Sequence, residues 1–264
     1  MKLTVQDVML ALTLPGGHPD NTVDELLAGD ARTEVTGIVT AFMPTLSILE
    51  QAAKLGANLV VAHEMLYYAH RGGERIHAES AILREKQRRV GALGMAVYRC
   101  HDYWHQVEPD GITEGLVQAL GWTAHVAERR RDATLVEIPP MTLREVADHV
   151  RARLGIPYLR AMGEPSAVCR RIGMLAGFRG GAQAVIPLIE GAGLDLVLYG
   201  EGFEWETPEY VRDANFLGTK RGLLVLGHAE SEEPGMAALA ERLRSRFPRI
   251  PVHYLKEKPL FTIL

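Results

Sequence analysis

The chain has 264 residues, which at ~150 residues per domain makes one large domain or two modest ones, with ample length to bury a core. Hydrophobic residues at 47% and charged residues at 23% are the composition of a globular chain and argue against long disorder. Lys and Arg number 29 against 33 Asp and Glu, a formal net charge of -4, so no basic surplus marks a nucleic-acid binder.

No apolar run approaches the ~20 residues of a membrane span. Cys100 and Cys169 are too few for a disulfide framework or a thiolate metal site. Met1-Lys2-Leu3-Thr4-Val5-Gln6-Asp7 turns acidic before a signal-peptide apolar region develops, so a cytoplasmic location is expected.

Strand-like and helix-like segments alternate, which predicts an α/β architecture. Thr4 can cap a first helix from Val5 to Leu12, ending before Pro15-Gly16-Gly17. Val35–Ala41 is predicted as a buried strand, and Thr45–Leu55 as an amphipathic helix closed by Gly56. Strand Leu59–Ala62, helix Ala81–Leu93, strand Met95–Arg99 and helix Ile112–Leu120 follow, the last stopped by Gly121. The alternation resumes with strand Leu135–Ile138, helix Leu143–Leu154, strand Arg171–Leu175 and helix Ala182–Glu190. It ends with strand Leu196–Leu198, helix Pro208–Leu217, strand Leu223–Leu226, helix Met236–Phe247 and strand Val252–Leu255.

Gly56–Ala62 resembles Gly193–Tyr199, and Ala96–His101 lines up with Leu223–His228. Both pairings read either as an internal duplication or as chance similarity between α/β units.

In open α/β sheets ligands bind beyond the carboxyl ends of the strands. Three predicted strands run into histidines and carboxylates there: His63-Glu64, then Cys100-His101-Asp102-Tyr103-Trp104-His105, then Gly227-His228-Ala229-Glu230-Ser231-Glu232. Singly, each has a plain explanation. A histidine after a strand caps a turn, Asp102 caps another, and Glu232 and Glu233 before Pro234 are first-turn acids favoured by the helix dipole. Three such clusters at one structural level shift the balance toward metal binding. Imidazole and carboxylate donors without thiolate suit Fe, Mn, Ni or Zn in a catalytic site.

The order and spacing of His63-Glu64, His101-x-x-x-His105 and Gly227-His228-x-x-x-Glu232 resemble the Nif-three-like family. That family has bacterial YbgI-like members and often carries the name "GTP cyclohydrolase 1 type 2 homologue". The resemblance covers nearly the whole chain, including Leu46–Ala62, Gly111–Leu120, Gly200-Glu201 and the terminal helix and strand. It implies an α/β/α fold of two related α/β halves with a metal cleft between them. Residues 1–128 would carry His63, Glu64 and His105, and residues 129–264 would carry His228 and Glu232, with the C-terminal segment able to pack back on the first half. It further implies two divalent metal ions per chain and a homohexameric ring. By that resemblance His63 and His228 hold one ion, Glu64 and His105 the other, and Glu232 bridges.

Two positions depart from the family pattern, which usually has two adjacent histidines at positions 63 and 64 and an Asp at position 105. The exchange is reciprocal and keeps three imidazoles and two carboxylates, so it reads as retained metal binding with altered geometry.

His101 matches a further family histidine and serves either proton transfer or turn capping. Glu201 is either a general base or a helix-start acid, given Glu204 and Glu206 nearby. Tyr67, Tyr68 and His70 are candidate pocket walls, while Tyr103 and Trp104 either stack on a flat substrate or pack. His77, His125, His149 and His253 lack a partner pattern, and Gly177–Gly181 reads as a strand-to-helix turn rather than an anion loop.

The expected function is a metal-dependent hydrolase acting on a small cyclic amide, another C–N bond or a nucleotide-like substrate through a hydroxide bridging the two ions. The alternative is a non-enzymatic metal-binding scaffold or regulatory protein. A small-molecule substrate is expected, with neither nucleic acid nor membrane as partner.

Overall fold

Thr4 starts the first helix as its position predicts. In the computed structural model, which describes residues 2–15 and 21–263, its hydroxyl accepts from the Asp7 amide, and the Asp7 carboxylate accepts from the Thr4 amide. This reciprocal capping begins α1 (Val5–Ala11). The Gly16-Gly17 stop expected for this helix lies outside the described residues.

Contacts divide the chain into two units, residues 1–111 with 236–264 and residues 112–235. The first begins with α1, β1 (Glu25–Ala28), β2 (Ile38–Ala41), α2 (Leu46–Lys54) and β3 (Leu59–Ala62). It continues with the short α3 (Gly73–Ile76), α4 (Ala81–Leu93), β4 (Ala96–Arg99) and α5 (Asp102–Gln106). β2, β3 and β4 run parallel, and every residue in them is buried, as expected of strands covered on both faces. The amphipathic pattern of α2 puts Ile48, Leu49 and Ala52 onto Val39, Val60 and Val97. Each fully buried side chain of this kind is worth about 1.5–3 kcal/mol. β1 pairs antiparallel with β4, with a register shift between Leu26 and Ala28.

The second unit holds α6 (Gly111–Ala119, from Ile112 on), β5 (Val126–Arg129), β6 (Thr134–Thr142), α7 (Leu143–Leu154) and β7 (Arg160–Met162). Then come β8 (Val168–Leu175), α8 (Ala182–Ala192), β9 (Leu196–Tyr199), α9 (Thr207–Phe216) and β10 (Gly222–Val225). α10 (His228–Arg246) follows, and its residues from Met236 on count with the first unit. The final strand, β11 (Val252–Tyr254), joins the first sheet parallel to β2. The sheet orders are β1-β4-β3-β2-β11 and β5-β6-β8-β9-β10-β7.

The two sheets share a four-stranded arrangement. β2, β3 and β4 are parallel with β1 antiparallel beyond β4; β8, β9 and β10 are parallel with β7 antiparallel beyond β10. Helices intervene at matching places, α2 with α8, α4 with α9, and α5 with α10. The sequence similarities noted above fall on matching strands, β3 with β9 and β4 with β10.

Elements absent from the sequence-based prediction are short: β1, α3, α5, β5, β7 and a single 3-10 turn at Thr123–His125. One helix start differs in an important way. The last helix was expected over Met236–Phe247, but α10 already begins at His228 and runs through Pro234. The missing proline N–H costs that helix one i→i−4 bond. Among the described residues no helix is long and apolar enough to cross a membrane.

Candidate metal centre

β3 and β4 are adjacent and parallel, with Ala62 opposite Arg99, so the residues that follow them emerge at one edge of the sheet. The His63 amide donates to the Ala41 carbonyl at 3.1 Å and the Cys100 amide to the Ala62 carbonyl at 2.8 Å, extending the ladder past both strands. His63 is thereby fully buried. His101 begins α5, and the His105 amide donates to the His101 carbonyl at 3.2 Å, so the two imidazoles sit one helical turn apart. The His101 side chain does not cap the helix. Its ring stacks on His63 instead, with centroids 4.4 Å apart, while His105 lies edge-on to both at 5.0 Å. One nitrogen from each of the three rings lies within 4.8 Å of the other two.

Carboxylates stand behind two of these rings. Asp102 Oδ1 is 3.0 Å from His101 Nδ1, and both Asp110 oxygens are 3.2 Å from His105 Nδ1. An imidazole that donates through Nδ1 presents the lone pair of Nε2 to a metal. The start of α5 is itself anchored, because Asp24 accepts from the amides of His101, Asp102 and Tyr103 at 2.6, 2.8 and 2.8 Å. The other oxygen of Asp102 accepts from Thr22 Oγ1 and the Val23 amide, both at 2.9 Å. The His101 hydrogen bond, helped by these two and opposed by burial, holds the Asp102 carboxyl well below the usual range.

Glu64 is engaged differently. Its Oε2 accepts from Arg99 Nη2 at 3.0 Å, and its Oε1 lies 3.9 Å from His101 Nε2. Arg99 is only 1% exposed and also donates to the His63 carbonyl at 3.3 Å and the His70 carbonyl at 2.9 Å. A guanidinium this deeply buried needs an opposite charge beside it. Glu64 supplies that charge. Arg99, Asp24 and Asp110 were not singled out in the sequence; the one available signal was an arginine closing the otherwise apolar run Ala96-Val97-Tyr98.

In the second unit β8, β9 and β10 also end together, delivering Gly177, Gly200-Glu201 and Gly227-His228. The amide of Glu201 donates to Gly177 at 3.0 Å and that of Gly227 to Gly200 at 2.9 Å. Because α10 begins at His228, Glu232 lies one turn along the same helix face, its Oε2 3.2 Å from His228 Nε2. Glu201 Oε1 holds His228 Nδ1 at 2.9 Å. Burial works to lower the His228 pKa, but the hydrogen bonds and charges of Glu232 and Glu201 outweigh it and raise it to about 9. Gly177 has φ +70°, and a Cβ there would lie 2.0 Å from Glu232 Oε1. Only glycine leaves room for that carboxylate. Buried Ser231 ties the pieces together, accepting from the Gly177 amide at 2.9 Å and donating to the His228 carbonyl at 2.8 Å.

Several open readings resolve here. Glu201 lies ahead of α9, whose first flanking residue is Glu206, so it acts on His228 rather than on a helix start. Glu206 accepts from the Ala182 amide at 2.8 Å, which takes up the donor at the start of α8 and leaves Gly177–Gly181 a strand-to-helix turn. Tyr103 and Trp104 are buried, with Arg242 donating to the Tyr103 hydroxyl and lying over the Trp104 ring. His70 contacts Arg99 and lies edge-on to His101 at 5.6 Å, and His149 stacks on Trp122. An exposed aromatic ladder was missed: Phe203 stacks on Trp205 at 4.7 Å and meets Phe178 edge-on at 5.2 Å.

The sequence model of the Duf34/NIF3 (NGG1p interacting factor 3) family matches residues 24–259. A protein of Clostridium perfringens (strain 13 / Type A) named "GTP cyclohydrolase 1 type 2 homolog" is 24% identical over 229 residues, covering 84% of this chain and 82% of the relative. One of the same name from Nostoc sp. is 28% identical over 225 residues, covering 80% and 79%. Among solved structures, the Bacillus cereus protein related to NIF3 superposes with a TM-score of 0.78 at 14% identity over 100% of both chains. The ybgI protein, described as of unknown function, superposes at 0.73 with 23% identity over 92% of each. At these identities the superpositions establish the fold.

Proposed function

This chain belongs to the Duf34/NIF3 family, and we propose that it is a metal-dependent hydrolase acting on a small cyclic amide, another C–N bond or a nucleotide-like substrate. The proposal assigns a dinuclear centre to His63, Glu64, His105, His228 and Glu232, holding two divalent ions of Fe, Mn, Ni or Zn per chain. It extends to a cytoplasmic homohexamer.

The observation that carries the proposal is the gathering of the assigned ligands His63 and His105, with His101 beside them and the Asp110 carboxylate ordering the His105 ring. Such nitrogen donors backed by carboxylates fit a divalent transition-metal ion. The name shared by the curated relatives supports C–N hydrolysis as the reaction class. A bound divalent ion supplies Lewis acidity and lowers the pKa of water.

The remaining work falls to the chain's own groups. Asp110 holds the Nδ1 proton of His105, and Arg99 keeps the Glu64 carboxylate in place through Oε2. Glu201 accepts a hydrogen bond from His228 Nδ1 and keeps its side chain partly exposed, which supports assigning it the role of general base.

Protein loaded in turn with each of the four ions and offered a panel of cyclic amides and nucleotides tests this reading. Product should form, vanish on chelation, and return when the ion is restored. His63→Gln should lower the rate on the order of 10²-fold or more. Retained metal without turnover of any panel member would contradict the hydrolase and favour the scaffold. Protein that holds no metal would contradict both.

A further inference from the structure

Phe178, Phe203 and Trp205 are 53%, 40% and 71% exposed, an apolar surface at the edge of the second sheet from which Glu201 and His228 also emerge. Exposed apolar patches of this kind mark binding sites. We propose that these three rings form the platform on which the substrate's own ring stacks, and that the substrate is a flat, conjugated N-heterocycle rather than a puckered cyclic amide. This inference rests on the hydrolase reading for the reacting group and narrows its substrate class.

The geometry is that of an unfinished stack. Phe203 and Trp205 are 22° from parallel with centroids 4.7 Å apart, and Phe178 meets Phe203 edge-on at 86° and 5.2 Å. Phe203 covers one face of Trp205, yet the indole is the most exposed of the three, so its other face is open to a further flat ring. The platform is also rigid. The Glu201 amide donates to the Gly177 carbonyl and the Gly180 amide to the Glu201 carbonyl, both at 3.0 Å, and the Glu206 amide closes a turn onto the Phe203 carbonyl at 3.1 Å. Buried Thr207 donates to the Gly180 carbonyl at 2.7 Å, and a Cβ on Gly202 would lie 2.7 Å from the Gly180 backbone, so the two loops meet backbone to backbone. Rings held in place before binding lose little freedom on stacking. The same loops tie the platform to the chemistry: Phe203 lies two residues beyond Glu201, and Phe178 one beyond Gly177, the glycine that makes room for Glu232.

Size and charge favour a small ligand over a second copy of the chain. A stable interface buries about 800 Å² per partner from about 20–30 residues, and this platform is three side chains. Glu204, between Phe203 and Trp205, is exposed and paired with Arg160, so charges of both signs border the rings. The stacking role weighed for Tyr103 and Trp104 has no opening there, because both are buried.

Metal-loaded full-length protein titrated with guanosine, uridine and dihydrouridine tests the inference, by quenching of tryptophan fluorescence and by calorimetry. Uridine and dihydrouridine differ in the C5–C6 double bond, so only the first has a flat conjugated ring. Trp104 and Trp122 are buried, which leaves Trp205 as the exposed reporter. Wild type should bind guanosine and uridine at least 5-fold more tightly than dihydrouridine. Trp205→Ala should weaken both flat probes about 5- to 100-fold, in the range of base stacking on an aromatic side chain. Trp205→Phe should stay within 3-fold of wild type, as should Phe216→Ala, which removes an exposed ring at the end of α9. Dihydrouridine bound as well as uridine overturns the platform, as do flat probes bound unchanged by Trp205→Ala and wild type that binds none of the three. Sedimentation velocity covers the other occupant: an assembly that Trp205→Ala breaks while nucleoside binding persists makes the patch a contact between copies and overturns the proposal. Binding is read without turnover. Trp205-dependent stacking in protein that hydrolyses nothing therefore counts against the hydrolase alone, and hydrolysis with kcat and KM unchanged in Trp205→Ala counts against the platform alone.

Discussion

Lys86 on α4 buries its ammonium group over the Tyr68 ring, 5.0 Å from the centroid, and burial pulls its pKa down to about 8. The folded protein therefore holds this proton less tightly than the unfolded chain, whose lysine titrates near 10.5. The resulting cost to stability is present in full below pH 8 and fades as the pH rises through 10.5. Lys86→Met, which keeps the length of the side chain and removes the charge, should raise unfolding free energy at pH 7 by about 1–3 kcal/mol. Urea denaturation at pH 7 and again near pH 10.5 measures it. A variant no more stable than wild type at pH 7 would contradict the argument, as would a gain that persists undiminished at the higher pH.

Single residues also show where the sequence was silent. His63, Glu64, His105, His228 and Glu232 stand out because histidines and acids directly after apolar strands are conspicuous. Arg99, Asp24 and Asp110 do not, because each takes its meaning from residues brought to it by folding. Glu64 looks like a ligand in the sequence and in the structure also neutralises a buried arginine. That second duty has no local signature.

Helices and turns set the spacing of the donors. His101-x-x-x-His105 and His228-x-x-x-Glu232 are both i,i+4 pairs at the start of a helix that follows a parallel strand. The first pair lay in a segment given no helix, and the second lay ahead of the expected helix start at Met236. The parallel strands β3, β4, β9 and β10 were legible as apolar runs because they are covered on both faces. β1, β5 and β7 were not: they are short, pair antiparallel and are largely exposed or half-buried, so hydrophobicity leaves little trace of them.

The turn after β8 is the most demanding of these elements. Gly177→Ala would place a methyl group 2.0 Å from Glu232 Oε1 at a backbone φ of +70°. The substitution should cost about 1–3 kcal/mol and push the Glu232 side chain away from His228. Thermal unfolding reads the cost, and the downward shift of the His228 pKa by NMR titration reads the displacement. Wild-type stability with an unchanged His228 titration would contradict it.

At the scale of the whole chain, the two units repeat one strand plan and place their polar groups in matching positions. Glu64 follows β3 as Glu201 follows β9, His101 follows β4 as His228 follows β10, and His105 and Glu232 come one turn later. The similarity between the sequence segments had left duplication open; the matching order and direction of four strands in each sheet argue for it. A duplicated plan with diverged side chains accounts for an imidazole cluster in one unit and an imidazole–carboxylate cluster in the other.

The central claim is that the imidazoles gathered after β3 and β4 exist to hold a metal ion. Anomalous scattering at the cobalt or zinc edge, from crystals of the loaded protein, tests it most directly. Peaks at about 2–2.3 Å from a nitrogen of His63 and from a nitrogen of His105 are the predicted result. Loaded crystals whose anomalous map is featureless beside these two rings would contradict it.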